Sequence, residues 1–252
     1  MTAAVAAVGR RYLPRGWPHF WLQLGIWFGF LAVYQVARGV ADRDPARAFA
    51  NGLRVIGWER THAHHLFELG LQHFAGSSRI LEAAVSWTYW NSEFTVIGVA
   101  LLWVYLRRHG AFARFRNTIL LANGLGLVGY VLLPTAPPRM FPRFGFVDTL
   151  GAFGGLNHGS GLVQLAANPY AAMPSLHAAD ALIAGVTLAY VSRRWFAKLA
   201  WALWPAWVWF SVVATGNHFW LDVVAGVAVA LLALGVVHRR RIRRLVPRVV
   251  AA

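Results

Sequence analysis

The chain of 252 residues contains no cysteine, which excludes disulfides, thiolate nucleophiles and thiolate-ligated metals. Acidic residues number only nine, and lysine occurs once, at Lys198, against 23 arginines. Charged residues make up 13% of the chain, roughly half of the ~25% found in soluble domains. Hydrophobic residues make up 58%. That balance excludes an ordinary water-soluble globule and indicates a membrane protein. Scarcity also gives each acid weight, because an ionisable side chain inside a spanning helix is costly and points to function.

Residues 20–37 form an uncharged run of 18, close to the roughly 20 that a spanning helix needs. Further apolar runs predict an all-α polytopic membrane protein: one domain over 1–252, with six transmembrane helices at about 20–40, 83–106, 117–133, 174–191, 199–215 and 219–237. Many of the thirteen tryptophans, among them Trp21, Trp87, Trp90, Trp195 and Trp220, sit near run ends, as in interfacial aromatic belts. Two long segments, 41–79 and 134–173, lie on one side of this arrangement, and the basic tail 238–252 on the other. The mixed pattern of 46–74 predicts helices lying in the interface. The first apolar stretch is short and followed by Arg10 and Arg11, so the first span is expected to be an uncleaved anchor.

The net charge of +15 suggests nucleic acid only until its distribution is read. With both termini cytoplasmic, 16 of the 24 basic residues and none of the nine acidic ones fall on the cytoplasmic side. This is the positive-inside pattern of a multi-pass protein of the cell (plasma) membrane, with the tail against anionic headgroups and no nucleic-acid partner.

Under that topology three motifs arrive at the outer face. They are Pro134-Thr135-Ala136-Pro137-Pro138-Arg139, Asn168-Pro169-Tyr170-Ala171-Ala172-Met173-Pro174-Ser175-Leu176-His177, and Gly216-Asn217-His218-Phe219-Trp220-Leu221-Asp222. His218 lies four residues before Asp222, so both occupy one helix face, where a carboxylate can fix the imidazole tautomer and raise its basicity. Ser175 and His177 supply a hydroxyl and a proton carrier. Pro174 suits a first helical turn, whose free N–H groups could hold a phosphate.

Together with Gly226, these motifs resemble the PAP2 (type 2 phosphatidic acid phosphatase) superfamily, six-helix membrane enzymes of phosphoryl transfer. The likeness covers about 20–237 and is greatest to the inositolphosphotransferase branch, of inositol phosphorylceramide synthase type. The resemblance implies that His218 is the nucleophile forming a phosphohistidine, oriented by Asp222, and that His177 protonates the leaving alkoxide. It further implies that Ser175 bonds a non-bridging oxygen, that Arg139 neutralises phosphate charge, and that no metal or cofactor is used. Three positions depart from the phosphatase pattern: Leu132 and Val212 stand where it has cations, and Met140 where it has proline. The inositolphosphotransferase branch shares the two missing cations. Arg143, with Arg38 and Arg60 as further candidates, is the nearest replacement charge.

Each residue also has a plainer reading. The His218–Asp222 pair could brace helix ends, Ser175 could cap a helix beside an interfacial His177, and Arg139 could snorkel to headgroups. Asp180 could orient His177 or favour a helix N-terminus, and Glu93 could line the site or brace the bundle. His62, His64 and His65 point different ways on a helix and read as headgroup or structural contacts, and His158 as loop. The loop 134–173 is long enough for a lid, and Gly25, Gly29, Gly124, Gly126 and Gly129 suit close helix packing. The expected activity is transfer from a lipid phosphate or phospholipid to water or to an alcohol such as inositol. The alternatives are a non-catalytic flippase or transporter, or a structural membrane protein.

Overall fold

The computed structural model describes residues 12–41, 44–154 and 169–249. Its elements are α1 (Gly16–Ala41), α2 (Pro45–His62), α3 (Phe67–Gly76), α4 (Arg79–Asn91), a π-helical segment (Ser92–Val96), α5 (Ile97–Arg107), α6 (His109–Leu132), α7 (Thr149–Gly154), α8 (Leu176–Val191), α9 (Trp195–Ala214) and α10 (Trp220–Val249). Among the described residues the one extended pairing is a bridge between Thr135 and Ala171. The chain is all-helical, as its composition implies.

Among the described residues three helices are long and apolar enough to cross a bilayer: α6, α9 and residues Trp220–Arg239 of α10. α8 is apolar but shorter, at 16 residues. The run expected at 83–106 is divided into α4, the π segment and α5. The polar residues Asn91, Ser92 and Glu93 fall at that division, where a π-helical turn re-aims side chains. Large apolar side chains face outward along the bundle, including Trp21, Phe28, Leu132, Leu203 and Leu231, an exterior suited to lipid. Inside, Ile97, Val104, Phe115, Ile119, Ile183 and Leu188 pack into one cluster joining α5, α6 and α8.

The segment 41–79 does form helices. Asp44 accepts the Arg47 N–H at 2.9 Å and Pro45 occupies the first turn, which starts α2. Ala48, Asn51, Gly52, Ile56 and Glu59 make its buried stripe. That stripe holds the 134–139 motif: Ala136 N–H donates to Ala48 O (3.0 Å) and Asn51 Nδ2 to Pro134 O (2.8 Å). Thr135 and Ala172 are tied in turn by the bonds Thr135 N–H to Tyr170 O (2.8 Å) and Ala172 N–H to Thr135 O (3.2 Å). Two motifs distant in sequence are thus stapled side by side.

The third motif joins them where α10 passes α8. Ser175 N–H donates to Asp222 O at 2.9 Å. A Cβ on Gly226 would stand 2.2 Å from Ser175 O, so this approach requires glycine. Gly126 and Gly129 likewise admit Leu176 and Pro174, whereas Gly25, Gly29 and Gly124 have nothing packed against them. The expected close packing therefore holds for two of those five glycines. Of the loop 134–173 expected to form a lid, residues 155–168 lie outside the described residues, His158 among them.

Candidate active site

α9 ends in a turn that aims the third motif. Asn217 and His218 N–H groups both donate to Val212 O (3.2 Å each), and Gly216 takes a left-handed φ of 72°. The turn delivers the His218 ring into a buried setting, where Nδ1–H donates to Ala172 O at 2.8 Å. The expected orienter, Asp222, is the more distant partner: its Oδ2 lies 3.5 Å from Nδ1 because it accepts Phe219 N–H at 2.8 Å. The backbone carbonyl of Ala172 sets the tautomer and leaves Nε2 free. Burial pushes the His218 pKa down to about 4, aided by Arg139 and opposed by Ala172 O, so the ring is neutral at neutral pH.

His177 enters from the first turn of α8. Its ring centroid lies 5.7 Å from that of His218. Tyr89 stacks on it at 4.5 Å. Its Nε2–H donates to Tyr89 O (3.1 Å) and lies 3.3 Å from Glu93 Oε2. Glu93 sits in the π segment, and with its carboxylate beside the His177 ring it lines the site. Arg139 N–H is tied to Gly216 O at 2.8 Å, and its guanidinium donates to Asn217 Oδ1. Arg139, Asn217, His177, His218 and Glu93 line one cavity together with Tyr34, Tyr89 and Tyr130.

Other residues lie elsewhere. Ser175 is buried outside the cavity lining; its Oγ accepts Ala178 N–H at 3.3 Å and caps α8. Asp180 accepts from Asn123 Nδ2 of α6 (2.8 and 3.1 Å) rather than from His177. Arg143 lies over the Phe144 ring, 5.0 Å from its centroid, in a separate apolar hollow, and Arg60 is exposed. The Arg38 side chain is outside the described residues. Arg139 is the one arginine or lysine among the described residues lining the cavity, and neutral tyrosines stand around it instead of further cations. His62 bonds Trp58 O at 2.9 Å and stacks on that ring. Among the described residues no three metal-ligating side chains converge.

Sequence reasoning gave no role to Ala172, Tyr89 or Asn217. A backbone carbonyl has no signature, and the tyrosines read as interfacial aromatics. Only the division of the second apolar run by Glu93 carried a signal.

An apolar-faced helical bundle with paired histidines, an arginine and a carboxylate around one cavity defines a membrane-type protein with a polar site at its helix ends. The profile of the PAP2 superfamily matches residues 54–236, and the chain belongs to that superfamily. It is also 28% identical over 162 residues to the phosphoinositol dihydroceramide synthase of Bacteroides thetaiotaomicron, covering 60% of this chain. The chain spans about half (52%) of that relative's length. No solved structure matches.

Proposed function

We propose that the protein is a membrane phosphoryl-transfer enzyme acting on a lipid phosphate or phospholipid through a phosphohistidine at His218. The observation that carries this reading is the pair His218 and His177 facing one cavity, with His218 Nε2 free and Arg139 on the same wall. In the first step Nε2 attacks phosphorus, the P–O bond to the leaving group breaks, and His177 gives that oxygen its proton. Arg139 balances charge on the non-bridging oxygens. In the second step His177 takes a proton from water or an alcohol, whose oxygen attacks phosphorus and breaks the P–N bond. Asp222 and Ala172 hold the nucleophile, and Ser175 maintains the α8 terminus. No metal is assigned a role.

Around this chemistry we place a single domain over 1–252 with six spans, both termini cytoplasmic and the site at the outer face of the cell membrane. The relative's name favours an alcohol acceptor over water, a phosphoinositol group being carried onto a lipid hydroxyl. The absence of arginine or lysine at Leu132 and Val212 favours the same branch. The test uses wild type and His218→Ala in lipid nanodiscs with EDTA, supplied with 32P-labelled lipid phosphates and phospholipids, with and without inositol or a ceramide. Phosphate release that vanishes in the variant establishes the phosphatase, and a labelled lipid formed only with an alcohol establishes the transferase. Equal label transfer by both proteins overturns the role of His218, and no transfer by either leaves the transporter or structural alternatives.

A further inference from the structure

We propose that Glu68 and Glu59 act as positioning residues, capping the N-terminus of α10 from neighbouring helices and thereby setting the turn that carries His218 and Asp222. The proposal rests on His218 being the nucleophile.

The need for such a cap follows from the sequence of the turn. A helix begins with free N–H groups that its own backbone cannot satisfy. Phe219, immediately before α10, has no side-chain acceptor to offer. Asp222 reaches back to the Phe219 N–H, the acidic half of a capping box. The N–H groups of Trp220 and Leu221 remain. Glu68, on α3, accepts the Trp220 N–H at 3.2 Å through Oε1. Glu59, on α2, faces the Leu221 N–H, although neither of its oxygens reaches full hydrogen-bond geometry.

Both glutamates are completely buried, and neither is paired with a cation among the described residues. A leucine at either place would fill the volume without the cost of burying a carboxyl group. Only an oxygen can serve the free N–H groups, and a negative charge there also meets the positive end of the helix dipole. The residues thus served lie within four positions of His218, so their displacement moves the nucleophile.

The pair has its own proton chemistry. The charged groups facing Glu59 are Glu68 from α3 and Asp222 from α10, both of like sign. Burial first, and then Glu68, push the Glu59 carboxyl up to about 9, so Glu59 is neutral at neutral pH. A carboxyl raised on folding contributes stability that is complete below its ordinary value of 4.5 and is lost as pH rises through about 9.

The experiment compares wild type, His218→Ala, Glu68→Gln, Glu68→Met and Glu59→Gln in nanodiscs, on the 32P-phospholipid substrate that wild type turns over. Glu68→Met keeps the length but has no acceptor, and is expected to lower kcat by about 10- to 100-fold at unchanged KM. Glu68→Gln keeps an acceptor and is expected to restore most of that loss. Glu59→Gln is expected to flatten the fall of thermal stability between about pH 4.5 and 9. A fully active Glu68→Met beside an inactive His218→Ala overturns the cap while leaving the nucleophile in place. Equal losses in Glu68→Gln and Glu68→Met also overturn it. Should Glu68→Met fail to fold, an unchanged pH slope in Glu59→Gln overturns it and a flattened slope supports it. Full turnover by His218→Ala removes the nucleophile and the cap's purpose together.

Discussion

Two parts of this molecule hold nearly the same set of side chains. At the candidate site His177 and His218 lie 5.7 Å apart, with Tyr89 stacked on one and Arg139 bonded to Asn217. At the opposite end of the bundle His19 and His109 lie 5.6 Å apart, Tyr105 stacks on His19 at 5.6 Å, and Arg116 bonds Gln23. Ring pairs and guanidinium–amide contacts are therefore not what makes a site. The candidate site has Glu93 and Asp222 within 3.5 Å of its imidazoles, while the second cluster has no carboxylate among the described residues, since no acid occurs in the sequence around it. His218 is also buried, at 3% exposure, and its Nδ1 is fixed by a backbone carbonyl. The histidines of the second cluster are half-exposed, and both bond Tyr105, His19 at its hydroxyl and His109 at its carbonyl. Carboxylates and burial separate a reactive imidazole from a packing one.

The widest separation comes from deleting one histidine at each end. His218→Ala is expected to lower phosphoryl transfer by at least about 10³-fold, as removing a nucleophile does. His19→Ala and His109→Ala are expected to leave turnover close to wild type. Because His218 is pushed down to about 4, formation of the acid-labile phosphoenzyme should persist well below pH 6 and fail only near pH 4. An acid limb near the ordinary histidine value would contradict the burial argument, and equal losses at the two ends would erase the comparison.

A carboxylate change is the next largest. Glu93→Gln keeps the shape of the π segment and removes the charge beside His177. A loss of about 10²-fold in kcat is expected, with substrate affinity little altered, because proton transfer rather than binding is weakened. Rapid-quench measurement of phosphoenzyme formation checks this, since a defect confined to affinity would show as a raised KM instead.

Close approach of helices gives a third contrast. Gly226→Ala puts a Cβ 2.2 Å from Ser175 O, and backbone cannot yield as a side chain can. Overpacking of this kind costs about 1–3 kcal/mol, read as a lowered unfolding temperature with activity falling in step. Gly25→Ala, on α1 where nothing lies within 4 Å, is expected to be neutral or slightly stabilising.

Much of this was legible in the sequence because motif spacing maps directly onto helix faces. His218 and Asp222 at four residues, and Ser175 ahead of an apolar run, needed only helical geometry. The all-helical class followed from apolar runs. What remained hidden depended on backbone and on distant partners. Ala172 O displaces Asp222 as the nearest partner of His218 because Asp222 is drawn to the Phe219 N–H, a contest between two short contacts that no periodicity encodes. Glu59 and Glu68 lay in a segment that read as interfacial, and their burial arises from α2 and α3 folding over the start of α10. Asp180 met Asn123 across a helix pair whose register the sequence did not give.

The smallest expected effect tests the second cluster on its own terms. Tyr105 is buried at 2% exposure, and its hydroxyl meets His19 Nδ1 at 3.1 Å. Tyr105→Phe removes that bond but keeps the ring that stacks on His19 and packs edge-on to Phe112. A net loss of about 1 kcal/mol is expected, the ordinary worth of one intramolecular hydrogen bond, visible as a lowered unfolding midpoint with phosphoryl transfer unchanged. If activity instead fell with stability intact, the second cluster would be coupled to the candidate site through α5 and the π segment that adjoins it. Glu93 sits in that segment, so the double variant with Glu93→Gln would show non-additive rates only in that case. Additive behaviour means that the two histidine pairs share a composition and nothing else, and that the carboxylates alone assign the chemistry to one end.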